Sequence, residues 1–62
     1  MRLILNGVPL DTDAITLVDL VGPLPGGQAA AVNHQVVPRA EHGRHALADG
    51  DVVDVVTAVA GG

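Results

Sequence analysis

The chain has 62 residues, of which 48% are hydrophobic, and it contains no Phe, Tyr, Trp or Cys. This length fits one small domain, and without cysteine the chain has no disulfide or thiolate metal site. Seven acidic residues against three arginines give a net charge of -4, which argues against nucleic acid and anionic membranes as partners. No apolar run approaches the roughly 20 residues of a membrane span, and the features of a signal peptide are missing. We therefore expect a soluble, cytoplasmic protein.

The first ten residues predict a β-hairpin. Leu3 and Leu5 alternate with their neighbours, and Asn6 and Gly7 follow before the next apolar run. Asn-Gly between apolar runs is a strong hairpin signal, because a type I′ turn needs positive φ at both central residues. Pro9 cannot donate a ladder hydrogen bond, so the second strand is expected at a sheet edge.

A short helix is predicted next. Thr16 can cap its N-terminus, and the carboxylate of Asp19 suits the positive end of the helix dipole. Gly22, followed by proline, is expected to end the helix after about two turns. The apolar residues on one face of this helix are Leu17, Leu20 and Val21.

Three further strands are predicted in the second half of the chain. Two short apolar runs at 29–32 and 35–37 flank an Asn-His pair that can form a tight turn. The polar segment 39–45 is expected to be irregular or to form one helical turn. An Asp-Gly-Asp turn signal then precedes the longest strand, 52–59, which is strongly β-branched.

Together these elements predict an α+β fold of the ubiquitin-like β-grasp type, with a mixed sheet of four to five strands. One short helix covers one face of the sheet, since no other element can bury the apolar strand residues. The first and last strands lie side by side at its centre. We expect 1–62 to form a single domain, with 60–62 as a flexible C-terminal tail. The sheet residues expected in the core are Leu3, Leu5, Val53 and Val55.

The chain ends on two glycines, Gly61 and Gly62, directly after the last strand. Glycine has no side chain to obstruct a narrow channel, and it adopts backbone angles that other residues avoid. This ending suits a terminal carboxylate that is threaded into the active site of another protein. The alternative is an ordinary frayed end, since Gly26 and Gly27 form the same pair in a predicted loop.

Six segments spread over nearly the whole chain carry a family resemblance. They are Leu5-Asn6-Gly7, Thr16-Leu17 with Leu20, Ala31-Val32-Asn33, Val36-Val37-Pro38-Arg39, Leu47-Ala48-Asp49-Gly50-Asp51 and the final run from Val52 to Gly62. In these segments the chain resembles the sulfur-carrier proteins of thiamine biosynthesis (ThiS-like). It departs from that pattern in its shorter helix and in His34, where a small turn residue is more usual.

The resemblance implies a carrier and not an enzyme. An adenylating enzyme of the ubiquitin-activating type (ThiF-like) would activate the Gly62 carboxylate with ATP. A sulfur donor such as a cysteine desulfurase would convert it to a thiocarboxylate, which supplies sulfur to a thiazole synthase (ThiG-like). Gly62 would bear the sulfur, while Gly61 and Ala60 would thread into the partner. No tightly bound cofactor is implied, and the free chain is expected to be monomeric.

Several alternatives remain open. The small subunit of molybdopterin synthase shares the fold and the Gly-Gly ending, carriers of other pathways exist, and a β-grasp interaction module without a processed tail is also possible. Ile4, Val56 and Ala58 fall on the sheet face away from the helix. They form either a surface that docks onto the adenylating enzyme or simply the weaker face of a thin sheet.

Other polar residues are expected to have structural roles. His34, His42 and His45 are predicted to be exposed loop residues, with no metal site, because a site would need them to converge with further ligands. Arg39 could bind an acidic or phosphate group of a partner, but a surface or capping role is favoured. Asp49 and Asp51 are expected to build their turn rather than to act as an acid–base pair.

Overall fold

The computed structural model describes residues 1–57, which form a mixed sheet of five strands in the order β2-β1-β5-β3-β4. The strands are β1 (Arg2–Leu5), β2 (Val8–Asp11), β3 (Gln28–Val32), β4 (Gln35–Val37) and β5 (Val52–Thr57). β1 and β5 pair in parallel, and the other neighbours are antiparallel. The predicted central pairing of the first and last strands is therefore confirmed. The two remaining positions of the predicted last strand, 58 and 59, lie outside the described residues.

Both hairpins turn on residues with positive φ, as the sequence predicts. Asn6 and Gly7 have φ angles of 51° and 81°, and Asn33 and His34 have 51° and 70°. Two consecutive positive φ angles are the signature of the turn that matches the twist of paired strands. Pro9 lies in β2, which is an edge strand as expected.

The helix, α1 (Leu17–Val21), is shorter than the predicted two turns. A capping box opens it, in which the Thr16 hydroxyl accepts from the backbone N–H of Asp19 and the Asp19 carboxylate accepts from that of Thr16. These contacts, first the one from the Thr16 backbone, hold the pKa of Asp19 below its ordinary value. Gly22 ends the helix at a φ of 71°, where its N–H donates to the Val18 carbonyl.

The core between α1 and the sheet is entirely aliphatic. Its largest fully buried side chains are Leu3, Leu17 and Val53, one from each of β1, α1 and β5. The other buried hydrophobic residues of the described part are Leu24, Ala30, Val32, Val37 and Leu47. Leu5 and Val55, also predicted for the core, are partly buried against this cluster. Close packing of Leu, Val and Ala takes the place of the missing aromatic rings.

His42 is buried, so its prediction as an exposed loop residue is wrong. Its exposed fraction is 5%, and its Nε2 lies 2.9 Å from the Val37 carbonyl oxygen. A carbonyl can only accept, so Nε2 carries the hydrogen and donates. The 3₁₀ helix Arg39–Glu41 turns His42 inward, and the His42 carbonyl in turn accepts from the Val18 N–H at 3.0 Å. Local sequence does not show this burial, because the contact with Val18 joins segments that are distant in the chain.

Candidate partner-binding site

The sheet face opposite α1 is uncovered within residues 1–57, and we call it the open face. Strand register defines its members, because residues paired across a ladder point to the same side. Ile4 pairs with Pro9 on one side and with Val52 on the other, and Ala31 pairs with both Asp54 and Val36. The open face consists of Arg2, Ile4, Pro9, Asp11, Ala29, Ala31, Val36, Val52, Asp54 and Val56.

Three large aliphatic side chains dominate the exposed surface of the open face. The exposed fractions are 70% for Val36, 54% for Val56 and 36% for Ile4. Ile4 and Val56 therefore lie where the sequence predicts them, on one face and away from α1. Ala58, the third predicted member, lies outside the described residues.

Val36 is the most exposed of the three, and our sequence analysis did not assign it to this surface. The alternation of β4 separates it from buried Val37, but alternation alone does not say which of the two faces inward. The pairing of Ala31 with Val36, and of Ala31 with Asp54, decides it. The open face therefore extends over all five strands and includes more residues than the sequence predicts.

Charge on the open face is confined to two places. Asp54 lies near the middle of the sheet and is half-buried. An exposed ion pair at the far end of β1 joins Arg2 to Asp11 at 3.2 Å, and such pairs contribute little to stability. A shallow depression at that end is lined by Arg2, Leu3, Ile4, Pro9, Asp49 and Gly50. It lies at the opposite end of the sheet from Thr57.

The end of β5 is held in place by the first turn of the chain. The Asn6 N–H donates to the Val53 carbonyl at 2.9 Å, and the Asn6 side-chain oxygen accepts from the Val55 N–H at 2.8 Å. The chain beyond Thr57 leads to Ala60, Gly61 and Gly62, which lie outside the described residues. Their assignment as the reactive tail remains a prediction.

Arg39 has a structural role in this conformation. Its guanidinium donates to the backbone carbonyls of Leu24, Pro25 and Gln28. These bonds attach the loop between α1 and β3 to the segment that follows β4. Arg39 is exposed and its guanidinium bonds to these carbonyls, which agrees with the structural role favoured by the sequence; binding to an acidic or phosphate group stays a prediction.

The acidic pair beside Gly50 builds its turn, as predicted. The Asp49 carboxylate accepts from the Arg2 N–H at 2.8 Å, and the Asp51 carboxylate accepts from the Ala48 N–H at 2.8 Å. Asp51 also accepts from the side-chain amide of Asn33 at 3.0 Å. Both carboxylates are thus occupied with backbone and turn contacts.

The part of the chain that the structure describes has neither a metal-ligand cluster nor a membrane-spanning helix. No three His, Cys, Asp or Glu side chains among residues 1–57 are grouped as metal ligands would be. Over the same residues, no helix is long and apolar enough to cross a membrane.

Comparison with known proteins decides the family. The sequence model of the ThiS family matches residues 10–62, which is most of the chain. The chain belongs to the ThiS family. A search of curated proteins found no match. Among solved structures, the chain is similar to the crystal structure of a thiamine biosynthesis protein (ThiS) from Geobacter metallireducens, at 23% identity, full coverage of both chains and a TM-score of 0.85.

The structural likeness establishes the fold of this ThiS-family chain. At 23% identity the match shows only that the two chains share a fold, and it covers the full length of both. The predicted ubiquitin-like β-grasp architecture, a mixed sheet with one short helix on one face, is therefore confirmed.

Proposed function

We propose that this protein is a sulfur carrier of thiamine biosynthesis and that the Gly62 carboxylate carries the sulfur as a thiocarboxylate. The observation that supports this most strongly is the ThiS-family match, which runs through residue 62 and so includes the Gly-Gly pair. The described structure supports it, because β5 is the central strand of the sheet and the terminal segment follows it in the sequence.

The chemistry needs activation of a poor electrophile. In a ThiF-like adenylating enzyme, an oxygen of the Gly62 carboxylate attacks the α-phosphate of ATP and releases pyrophosphate. The resulting acyl adenylate has a good leaving group, and the persulfide sulfur of a donor such as a cysteine desulfurase displaces AMP from it to give an acyl disulfide. A thiol then attacks the donor's sulfur of that S–S bond, which releases the thiocarboxylate and leaves the donor and the thiol joined as a disulfide. The thiocarboxylate then acts as a nucleophile toward the substrate of a ThiG-like thiazole synthase.

In this proposal the protein is a co-substrate and not an enzyme. Each step uses groups of the partner enzymes together with the terminal carboxylate, and none requires a side chain of the carrier. The tail residues Gly61 and Ala60 pass through the partner's channel, where the absence of bulk is an advantage. ATP is consumed by the adenylating partner.

We further propose that the open face docks onto the adenylating enzyme. Ile4, Val36 and Val56 expose aliphatic surface without a partner inside residues 1–57, and clustered apolar surface on a small protein marks interaction sites. The predicted third member, Ala58, would extend this surface toward the tail. Asp54 at its centre favours a cationic group in the facing surface of the enzyme.

Intact-mass spectrometry tests the carrier function. The protein is incubated with its ThiF-like enzyme, ATP and a sulfur source, and we expect a mass gain equal to the exchange of one oxygen for sulfur. Deleting Gly62 should abolish the gain. An unchanged mass of the intact chain, with an adenylating enzyme shown to be active on another carrier, would contradict the proposal.

The two glycine pairs of the chain provide a matched control. Gly61→Ala adds a methyl group to the proposed thread and should slow thiocarboxylate formation. Gly26→Ala adds the same group to the loop pair, where a new Cβ meets no atom within 4 Å, and should leave the rate unchanged. Transfer of sulfur from the purified thiocarboxylate to a thiazole synthase, but not to molybdopterin synthase, distinguishes the pathways.

A further inference from the structure

One edge of β5 is only partly paired within residues 1–57. The carbonyl groups of residues 51, 53 and 55 all point toward β1, because alternate residues of a strand direct their hydrogen bonds to the same side. The Asp51 carbonyl accepts from the Ile4 N–H at 2.9 Å, and the Val53 carbonyl accepts from the Asn6 N–H at 2.9 Å. This series of hydrogen bonds from β1 to β5 ends there, because no donor among the described residues reaches the Val55 carbonyl.

The reason lies in the first hairpin. β1 ends at Leu5 and turns away through Asn6 and Gly7 into β2, which lies on the far side of β1. The Asn6 side chain supplies one more acceptor, for the Val55 N–H. The N–H of Thr57 points to the same side as the Val55 carbonyl. The Val52 carbonyl accepts from Asn33 on the β3 side, so residues 53, 55 and 57 of the alternating series direct their backbone groups toward β1, where no acceptor among residues 1–57 reaches Thr57.

We propose that an extended segment of the adenylating enzyme pairs with this edge, bonding to the Val55 carbonyl and the Thr57 N–H. The segment would occupy the place that β1 would fill if it continued past Asn6. Addition of a strand to an exposed sheet edge is a common mode of peptide recognition, in which main-chain bonds provide the affinity. The proposal rests on the sulfur-carrier function and adds to it the mode of docking next to the tail.

The length of the tail argues for this occupant. Five residues separate Thr57 from the carboxylate of Gly62, and fully extended they span about 17 Å. For the carboxylate to reach the adenylation site, the enzyme must surround the tail within that distance of Thr57. The edge at Val55 and Thr57 therefore adjoins the contact area, and in this proposal its two polar groups lose their water when the enzyme binds. Unpaired burial of such groups is costly, so pairing with the enzyme backbone is favoured.

The other sheet edges fit the tail-binding partner less well. β2 carries Pro9, which lacks an N–H, and β4 has three residues before Pro38. Both are also two strands away from β5, which is about 10 Å to the side. The edge of β5 is shorter, but it adjoins the tail.

Replacing Thr57 tests the pairing directly. Thr57→Pro removes the N–H, at a position where the described structure uses it for no internal bond, and Pro is tolerated at such strand edges. Thr57→Val is the matched control, since it keeps the N–H and the β-branched shape. We expect Thr57→Pro to weaken binding to the adenylating enzyme about threefold to tenfold, the range for one hydrogen bond, and Thr57→Val to stay within about twofold of the original chain. Equal affinities of the two variants would overturn the proposal.

Hydrogen exchange on the unmodified protein gives a second readout that does not depend on how proline folds. We expect the Thr57 amide to exchange rapidly in the free protein and slowly in the complex with the enzyme. Protection of the open face without protection of Thr57 would place docking on that face alone and overturn the edge pairing. The two proposals can be distinguished by their outcomes. If the chain is not adenylated at all, the carrier function is contradicted. If adenylation is normal but the Thr57 amide is not protected, only the pairing of the enzyme with the β5 edge is contradicted.

Discussion

The two faces of the sheet use the same residue types and have opposite environments. Val53 on the helix side is completely buried, while Val56, three residues later in the same strand, is 54% exposed. Leu3 and Ile4 show the same contrast in β1. Aliphatic composition therefore does not assign a function to either face. Coverage by α1 makes one face the core, and the lack of such coverage within residues 1–57 leaves the aliphatic residues of the other face exposed.

The roles of the two faces can be distinguished by experiment. Substitutions on the covered face should change the free energy of unfolding, and those on the open face should change binding to the adenylating enzyme.

The largest effect is expected for Leu17→Ala. Leu17 has no exposed surface, and truncation of such a residue leaves a cavity that costs about 2–5 kcal/mol of unfolding free energy. Ile15 lies two residues earlier and is exposed, so Ile15→Ala should change the free energy of unfolding by no more than about 0.5 kcal/mol. Urea denaturation of both variants measures the difference. If the two variants were equally stable, the assignment of the core would be wrong.

A smaller loss of unfolding free energy is expected when His42 is replaced. His42→Leu leaves the Val37 carbonyl without its donor, and an unsatisfied buried acceptor costs about 1–3 kcal/mol. His42→Gln keeps an N–H donor and should recover part of that loss. Thermal unfolding of the pair separates the hydrogen bond from simple packing. Greater stability of the Leu variant than of the Gln variant would show that packing dominates.

The open face should respond in binding rather than in stability. Val56→Asp places a charge beside Asp54 in the proposed interface and should weaken binding to the adenylating enzyme about tenfold or more, equivalent to about 1.4 kcal/mol. Ile15→Asp adds the same charge at a similarly exposed aliphatic residue outside the open face and should have little effect. Loss of folding in Val56→Asp alone would indicate that the open face serves stability.

The smallest effect concerns Asp19 at the start of α1. Its pKa is lowered in the folded protein by the contacts to Thr16, so its contribution to stability is present above its ordinary pKa of 3.8 and is lost as the pH falls through the folded value. The difference in melting temperature between the original chain and Asp19→Asn should shrink as the pH is lowered below 3.8. A difference that stays constant over this range would contradict the capping assignment.

Much of the fold was predictable because its signals are local. Asn6 with Gly7 dictates a tight turn through the φ angles these residues tolerate, and Thr16 with Asp19 marks the helix start through a contact three residues apart. The burial of His42 and the membership of Val36 in the open face were not predictable in this way. They depend on hydrogen bonds and strand register between segments that local rules treat separately.

The sequence by itself determined where the turns, strands and helix lie, and its family segments with their Gly-Gly ending indicated a carrier. Those features depend on backbone preferences and motifs of a few residues. Only the tertiary structure decided that β1 leaves β5 after Asn6, so that within residues 1–57 the Val55 carbonyl and the Thr57 N–H lie at an unpaired part of the β5 edge. The physical reason is that strand pairing is a long-range choice: β1 and β5 are separated by most of the chain, and the point where their ladder stops is fixed by the hairpin that removes β1.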